Sequence, residues 1–268
     1  MPRPYSFLSI WSVSLVALLA APAHATIFAE AIVRQLSPNT NICGEGGVGT
    51  SSADADCSGD LYDGEAHATA AYGELGTYAR LSYTGDLPFP NDDFQAYGWA
   101  RWSDRISLSS DLLLPGATTD ARLIIGVDGS GYRIAPDFFD GGSLFVDTTL
   151  RVVINGLEAT PNTGEIVGAP FGTYAYDFNM LNGGDALVSV ELISDVRCFS
   201  CGGPYDGLSD WLNTAILDEI QIQGLTSEEF TLSSEAGATY GNVIPEPSVG
   251  LMIVTALLAG LGARQRRV

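Results

Sequence analysis

Two stretches alternate apolar and polar residues with a period of two, which confines them to strands with one buried and one wetted face. In the first, Phe94, Ala96, Ala100, Trp102, Ile106 and Leu108 share one face, and Gln95, Tyr97, Trp99, Arg101, Ser103 and Arg105 share the other. In the second, Leu144, Val146, Thr148, Leu150, Val152 and Ile154 form one face, ended by the turn dipeptide Asn155-Gly156. Shorter runs of this kind cover 27–36, 78–83, 171–178 and 186–196, and a last strand begins at Phe230 and Leu232. Leu123, Ile125 and Val127 mark another, stopped by Asp128-Gly129-Ser130-Gly131; with Asp137 and Asp140 these polar residues read as turns. Leu212, Ile216, Ile220 and Ile222 continue the series up to Gly224; Ser209–Glu219 also admits a short helix, but its second half reads better as strand. About eight to ten short strands with Gly-rich turns, and no amphipathic helices between them, predict an all-β fold, a β-sandwich of jelly-roll type.

Both ends depart from this pattern. Arg3, the apolar run Phe7–Leu19 and the small-residue site Ala23-His24-Ala25 read as a signal peptide over 1–25, with cleavage before Thr26. At the other end, 244–268 joins Pro245-Glu246-Pro247 to an uncharged apolar run, Ser248–Ala263, and to Arg264, Arg266 and Arg267. As a helix that run spans about 24 Å, short of the roughly 30 Å hydrocarbon core. The arginines favour a cytoplasmic C-terminus. Between the ends, 26–65 is expected to hold the first strand and an acidic, Gly-rich, disulfide-tied loop over 37–65, and 66–243 the sandwich body.

The chain has 32 Asp+Glu and 12 basic residues, all Arg. Four of those Arg lie in the end segments, which leaves the body 8 Arg against at most 32 acids, a net charge near −24. Such a surface repels nucleic acid and anionic lipid. Cys43, Cys57, Cys198 and Cys201 make an even set. In an exported chain this implies two disulfides among three connectivities, and the local pairs Cys43–Cys57 and Cys198–Cys201 are favoured. The alternative for Cys198-x-x-Cys201 is redox chemistry, which needs a thiol of lowered pKa at a helix start.

The tail resembles the PEP-CTERM sorting signal of exported proteins in Gram-negative bacteria that make exopolysaccharide: Pro245-Glu246-Pro247, an apolar segment and a terminal Arg cluster. The resemblance covers about 25 residues and the leader fits the same class. It implies that an exosortase-type transpeptidase in the inner membrane recognises the tail and cuts near Pro-Glu-Pro. The body is more loosely similar to that group through Asn213–Leu217, Phe230–Ser234 and Thr239-Tyr240-Gly241.

Candidate chemistry in the body is sparse. Asp54, Asp56 and Ser58 with Gly59, Asp60, Leu61 and Glu65 match the EF-hand loop template, which places six to eight oxygens around one calcium ion. No amphipathic helix precedes Asp54, so an exposed acidic loop is the plainer expectation. His67 is the one histidine after the leader, and no G-x-S-x-G element accompanies any serine. Tyr97 and Trp99, and the i, i+2 pair Tyr174 and Tyr176, are candidates for stacking on sugar rings. The reading favoured is a non-enzymatic, exported envelope or matrix protein associated with exopolysaccharide. A carbohydrate-binding module and, behind it, a secreted hydrolase are the alternatives.

Overall fold

The computed structural model describes residues 25–35, 40–58, 62–84, 93–134, 143–160, 172–199, 204–239 and 242–245. In chain order the strands are β1 (Thr26–Gln35), β2 (Thr40–Val48), β3 (Ser52–Ser58), β4 (Tyr62–Ala71), β5 (Glu74–Tyr83), β6 (Phe94–Ser109), β7 (Thr118–Val127), β8 (Ser130–Ile134), β9 (Ser143–Ile154), β10 (Leu157–Glu158), β11 (Gly172–Leu181), β12 (Asp185–Phe199), β13 (Tyr205–Ile222), β14 (Thr231–Ser234) and β15 (Val243–Pro245). No described residue is helical. The expected leader, with Ala23, and the tail from Glu246 through Pro247, Arg264, Arg266 and Arg267 lie outside the described residues; Ala25 and Pro245 are the outermost described positions.

The strands form a β-sandwich. The front sheet runs β10-β9-β12-β6-β1-β2, with β14 on β6 and β15 on β14; the back sheet runs β11-β7-β13-β5-β4-β3, with β8 on β13. The central pairs nest. Around the β9–β10 turn at Asn155-Gly156, β7 pairs with β11, β6 with β12 and β5 with β13, all antiparallel. Each successive pair encloses the one before and lands in the opposite sheet. β1 and β2 extend the front layer, β4 and β3 the back one.

Two local expectations are corrected. The stretch 40–58, expected as loop, forms β2 and β3, and β4 begins at Tyr62. Ala53, Ala55 and Cys57 point inward while Asp54 and Asp56 stay exposed, so the alternation exists but is carried by small residues. Ser130 and Gly131, expected within the turn Asp128-Gly129-Ser130-Gly131, open β8, while Asp137 and Asp140 lie outside the described residues. Ser209–Glu219 is strand throughout β13, which pairs with β5 and then β7; a register shift between Trp211 and Ala215 takes up the extra residues.

The two edge strands on one side are joined covalently. Cys43 of β2 and Cys57 of β3 form a disulfide with Cα atoms 6.2 Å apart. Cys198 is also disulfide-bonded; Cys201 lies outside the described residues. The first bond ties front layer to back where neither edge has a further strand.

Between the layers runs a waist of small residues. Across the front sheet Ala31, Gly98, Ser194 and Thr148 are register neighbours. Opposite them lie Ala66, Ala68, Thr77, Ala79 and Ser209, all buried. A Cβ on Gly98 would sit 2.5 Å from the His67 carbonyl oxygen and 2.8 Å from that of Tyr78. The layers therefore approach more closely here than the roughly 10 Å usual for stacked sheets. Two hydroxyl pairs bridge them: Thr77 Oγ1 to Ser194 Oγ at 2.8 Å and Thr148 Oγ1 to Ser209 Oγ at 2.6 Å. To one side the core fills with Trp102, Ile106, Leu123, Ile125, Tyr176 and Met180, to the other with Leu81, Leu144 and the stacked rings of Tyr83 and Tyr205.

Gly98→Ala is expected to lower unfolding free energy by about 3 kcal/mol, the upper end of typical overpacking, because its new methyl meets backbone rather than a movable side chain. Urea unfolding followed by tryptophan fluorescence measures this, and an unchanged midpoint would contradict the close approach. The disulfide closes a loop of sequence separation 14. Cys43→Ser with Cys57→Ser is expected to remove about 3 kcal/mol on the chain-entropy estimate, read as a lowered melting temperature.

Candidate functional site

Two outer surfaces gather side chains with chemical potential, one on each sheet. On the back sheet, β3, β4 and β5 bring Asp54, Glu65, His67 and Tyr78 together. Asp54 is the register partner of His67, and His67 of Tyr78. His67 Nδ1 lies 2.6 Å from Asp54 Oδ1 and Nε2 2.8 Å from Glu65 Oε1. The Tyr78 hydroxyl donates to Glu65 Oε2 at 3.2 Å. An ionised carboxylate only accepts, so both ring nitrogens must carry protons for both contacts to be hydrogen bonds. Burial works to lower the His67 pKa, but the hydrogen bonds and charges of Glu65 and Asp54 outweigh it and raise the value above 6.5. Burial first, and then the Glu65 charge and hydrogen bond, push the Tyr78 phenol up to about 12. Alongside, Arg80 Nε and Nη2 donate to the two Asp206 oxygens at 3.1 and 3.2 Å, and the Tyr132 hydroxyl to Asp206 Oδ2 at 2.9 Å.

Three members of the calcium template thus fall in this region in a different arrangement. Asp54 and Asp56 project from β3, and Glu65 from β4. Asp54 and Glu65 are engaged with His67; Ser58 ends β3, and Asp60 lies outside the described residues. Among the described residues no group of three or more His, Cys, Asp or Glu is arranged to hold a metal ion. The segment is a hairpin ladder rather than a helix-flanked loop. Neither nitrogen of His67 is hydrogen-bonded to a serine, threonine or cysteine hydroxyl or thiol among the described residues. The imidazole is accordingly built as a charged clasp between β3 and β4.

The front sheet's outer surface carries rings and paired charges. Phe28 (β1), Tyr97 and Trp99 (β6), Phe145 (β9) and Phe199 (β12) all point outward and none is fully buried. Phe28 and Trp99 have ring centroids 4.4 Å apart, with the Arg101 guanidinium 5.9 Å from each centroid. Phe145 and Phe199 meet edge to face at 5.7 Å. They wall a depression of about 410 Å³ whose remaining lining is Val146, Asp147, Asp195 and Arg197. Between these ring groups runs a polar chain. Arg34 Nε donates to Gln95 Oε1 at 2.7 Å, Gln95 Nε2 to Asp195 Oδ1 at 2.7 Å, and Arg197 to Asp195 Oδ2. Arg101 and Arg151 both face Glu191. A wider cleft, about 850 Å³, opens where β7 begins and β11 and β13 end. Its rim is mostly polar, with Asp120, Arg122, Asp177 and Gln221, and it holds two rings, Phe178 and Phe230.

Tyr97 and Trp99 therefore stand on the outward face that their parity predicted. Tyr174 and Tyr176 do not: they are 6% and 1% exposed and belong to the core. Phe28, Phe145 and Phe199 escaped the sequence reading, because strand register alone brings them beside Tyr97 and Trp99. No family model, no curated protein and no solved structure matches this chain.

The clasp makes stability depend on pH with a defined sign. A folded-state pKa raised above 6.5 means the His67 contribution is complete below 6.5 and is lost as pH rises through the raised value. The urea midpoint is expected to fall over that interval, and His67→Gln to flatten the fall. A midpoint that rises there, or a fall identical in the variant, would remove the imidazolium clasp as its cause.

Proposed function

We propose that this chain is an exported cell-envelope or extracellular-matrix protein of PEP-CTERM type, with a non-enzymatic structural or interaction role beside exopolysaccharide. The observation that carries the reading is the order Pro245-Glu246-Pro247, apolar Ser248–Ala263, then Arg264, Arg266 and Arg267. On this reading an exosortase-type enzyme of the inner membrane acts on the tail after the leader has directed export. The short apolar run is then a temporary hold, and the body is released to the cell surface or the medium.

Several features support the reading. Disulfides persist in oxidising compartments outside the cytoplasm, and Cys43–Cys57 is one. The acidic surface suits a soluble matrix component and disfavours nucleic acid as a partner. The nested pairing of β5 to β13 around the β9–β10 turn supports a sandwich of jelly-roll type, an architecture that many binding and structural domains share.

Intact mass spectrometry of the protein released by its host tests the route. The expected mature chain begins at Thr26 and ends between Pro245 and Ser248. Recovery of a chain retaining the tail through Val268 would overturn the proposal.

A further inference from the structure

The outward rings of the front sheet fall on a line. In register, Phe145 of β9 stands level with Gln95 of β6 through Arg197 of β12, and Phe28 of β1 stands level with Arg101. Phe199 and Phe145 thus begin a diagonal that passes Tyr97 and Trp99 and finishes at Phe28. It crosses three strand spacings and rises six residues, so it is about 25 Å long at the usual sheet dimensions. The rings are Phe145, 51% exposed, and four partly exposed ones; between them lie the linked Arg34, Gln95, Asp195 and Arg197 and the half-buried Ile32 and Ile193, register neighbours of Tyr97 and Trp99. Trp99 Nε1 and Arg101 Nε lie along this line without a hydrogen-bond partner among the described residues.

The two outer surfaces differ in charge. Arg34, Arg101, Arg105, Arg151 and Arg197, five of the body's eight arginines, face outward on the front sheet, and most are matched by Glu191, Asp195, Asp185, Glu158 or Glu235. The back sheet's outer face carries Asp54, Asp56, Glu65, Asp120, Asp177, Asp206 and Asp210 against Arg80, Arg122 and His67. Glu30 and Asp147 also face outward there, so the front is the less acidic of the two surfaces in a chain of net charge −20. An anionic polymer is repelled by the whole molecule, and so is a second copy of the same chain. An uncharged polyol is not. Its ring faces pack on aromatic faces, and its hydroxyls both donate to and accept from paired carboxylates and guanidiniums. A long row of stacking surfaces suits a polymer of repeating rings rather than a single sugar.

We propose that the outer face of the front sheet binds a neutral polysaccharide along the diagonal from Phe145 and Phe199 through Tyr97 and Trp99 to Phe28. The proposal rests on the exopolysaccharide-associated reading above and names the surface that makes the association. Its test is independent of the tail. The full-length chain, purified in detergent, is run on native gels containing galactomannan, xyloglucan, β-1,3-glucan or dextran, with alginate as the anionic comparison. Retardation by at least one neutral polymer is expected. Trp99→Ala and Tyr97→Ala should each weaken it about tenfold, Trp99→Phe should restore most of it, and Tyr132→Ala on the back sheet should leave it unchanged. Near-ultraviolet circular dichroism confirms that each variant is folded. Retardation only in alginate, retardation by no polymer, or retardation indifferent to Tyr97 and Trp99 would each overturn the proposal. So would a dimer on sedimentation that Trp99→Ala dissolves, since the rings would then serve self-association. A full-length secreted mass would sink the sorting route and leave this surface standing; absent retardation would do the reverse.

Discussion

Everything on both surfaces is placed by the contact of Gly98 with the back sheet. A side chain there would collide with the His67 and Tyr78 carbonyl oxygens, so only glycine allows the layers to meet. Once they meet, their facing residues must be small or capable of pairing. Ala31, Ala66, Ala68 and Ala79 are small, while Thr77 with Ser194 and Thr148 with Ser209 satisfy each other's hydroxyls inside the core. Strand parity then does the rest. Gly98 points inward, so Tyr97 and Trp99 point outward directly above the waist. His67 and Tyr78 turn their carbonyls toward Gly98 and their side chains to the opposite surface. One close approach therefore locates the ring diagonal and the imidazolium clasp back to back.

Such an acidic chain opposes its own compaction, because like charges repel more strongly as they are brought together. The back sheet meets this locally: Arg80 binds Asp206 through two hydrogen bonds, Arg122 binds Asp177, and His67 spans Asp54 and Glu65. The edge at β3 is the weak point. It has a neighbour on one side only and bears Asp54 and Asp56 on its exposed face. There the Cys43–Cys57 bond ties the edge to the other layer, and the exposed carboxylates discourage pairing with a foreign strand. The covalent link and the charged edge are complementary answers to an unpaired border.

How much of this was legible in the sequence follows from the same waist. Where the layers stand apart, their inward faces carry Trp102, Ile106, Leu150 and Val152, and the period-two alternation is plain. Where they meet, alanine, glycine, serine and threonine take the inward positions, and the contrast between faces fades. The stretch 40–65 therefore reads as loop although Ala53, Ala55 and Cys57 alternate with exposed Asp54 and Asp56. The surfaces were legible only as far as parity reaches. Parity within one strand put Tyr97 and Trp99 outside. It also put Tyr174 and Tyr176 on one face with Phe178 and Met180, opposite Thr173 and Asp177, and that face is the inward one. The partners of His67 are near in sequence, Glu65 two residues before it and Asp54 on the preceding strand, whereas the grouping of Phe28, Phe145 and Phe199 with Tyr97 and Trp99 depends on pairings between distant strands that no local pattern encodes.

The exit of the chain from the sandwich belongs to the same logic of borders. The side chain of Asn242 behaves as a peptide group toward β13: its Oδ1 accepts from the Ile220 amide at 2.9 Å and its Nδ2 donates to the Ile220 carbonyl at 2.7 Å. One residue later the backbone crosses to the other layer, and Val243–Pro245 pairs in parallel with β14 on the front sheet. β14 is itself tied to β6 through the buried Asp104 carboxylate, which accepts from the Ala236 amide at 3.0 Å and from the Ser234 hydroxyl. Pro245 has no amide proton, so it cannot add a donor to this ladder. The last described residues thus touch both sheets in succession.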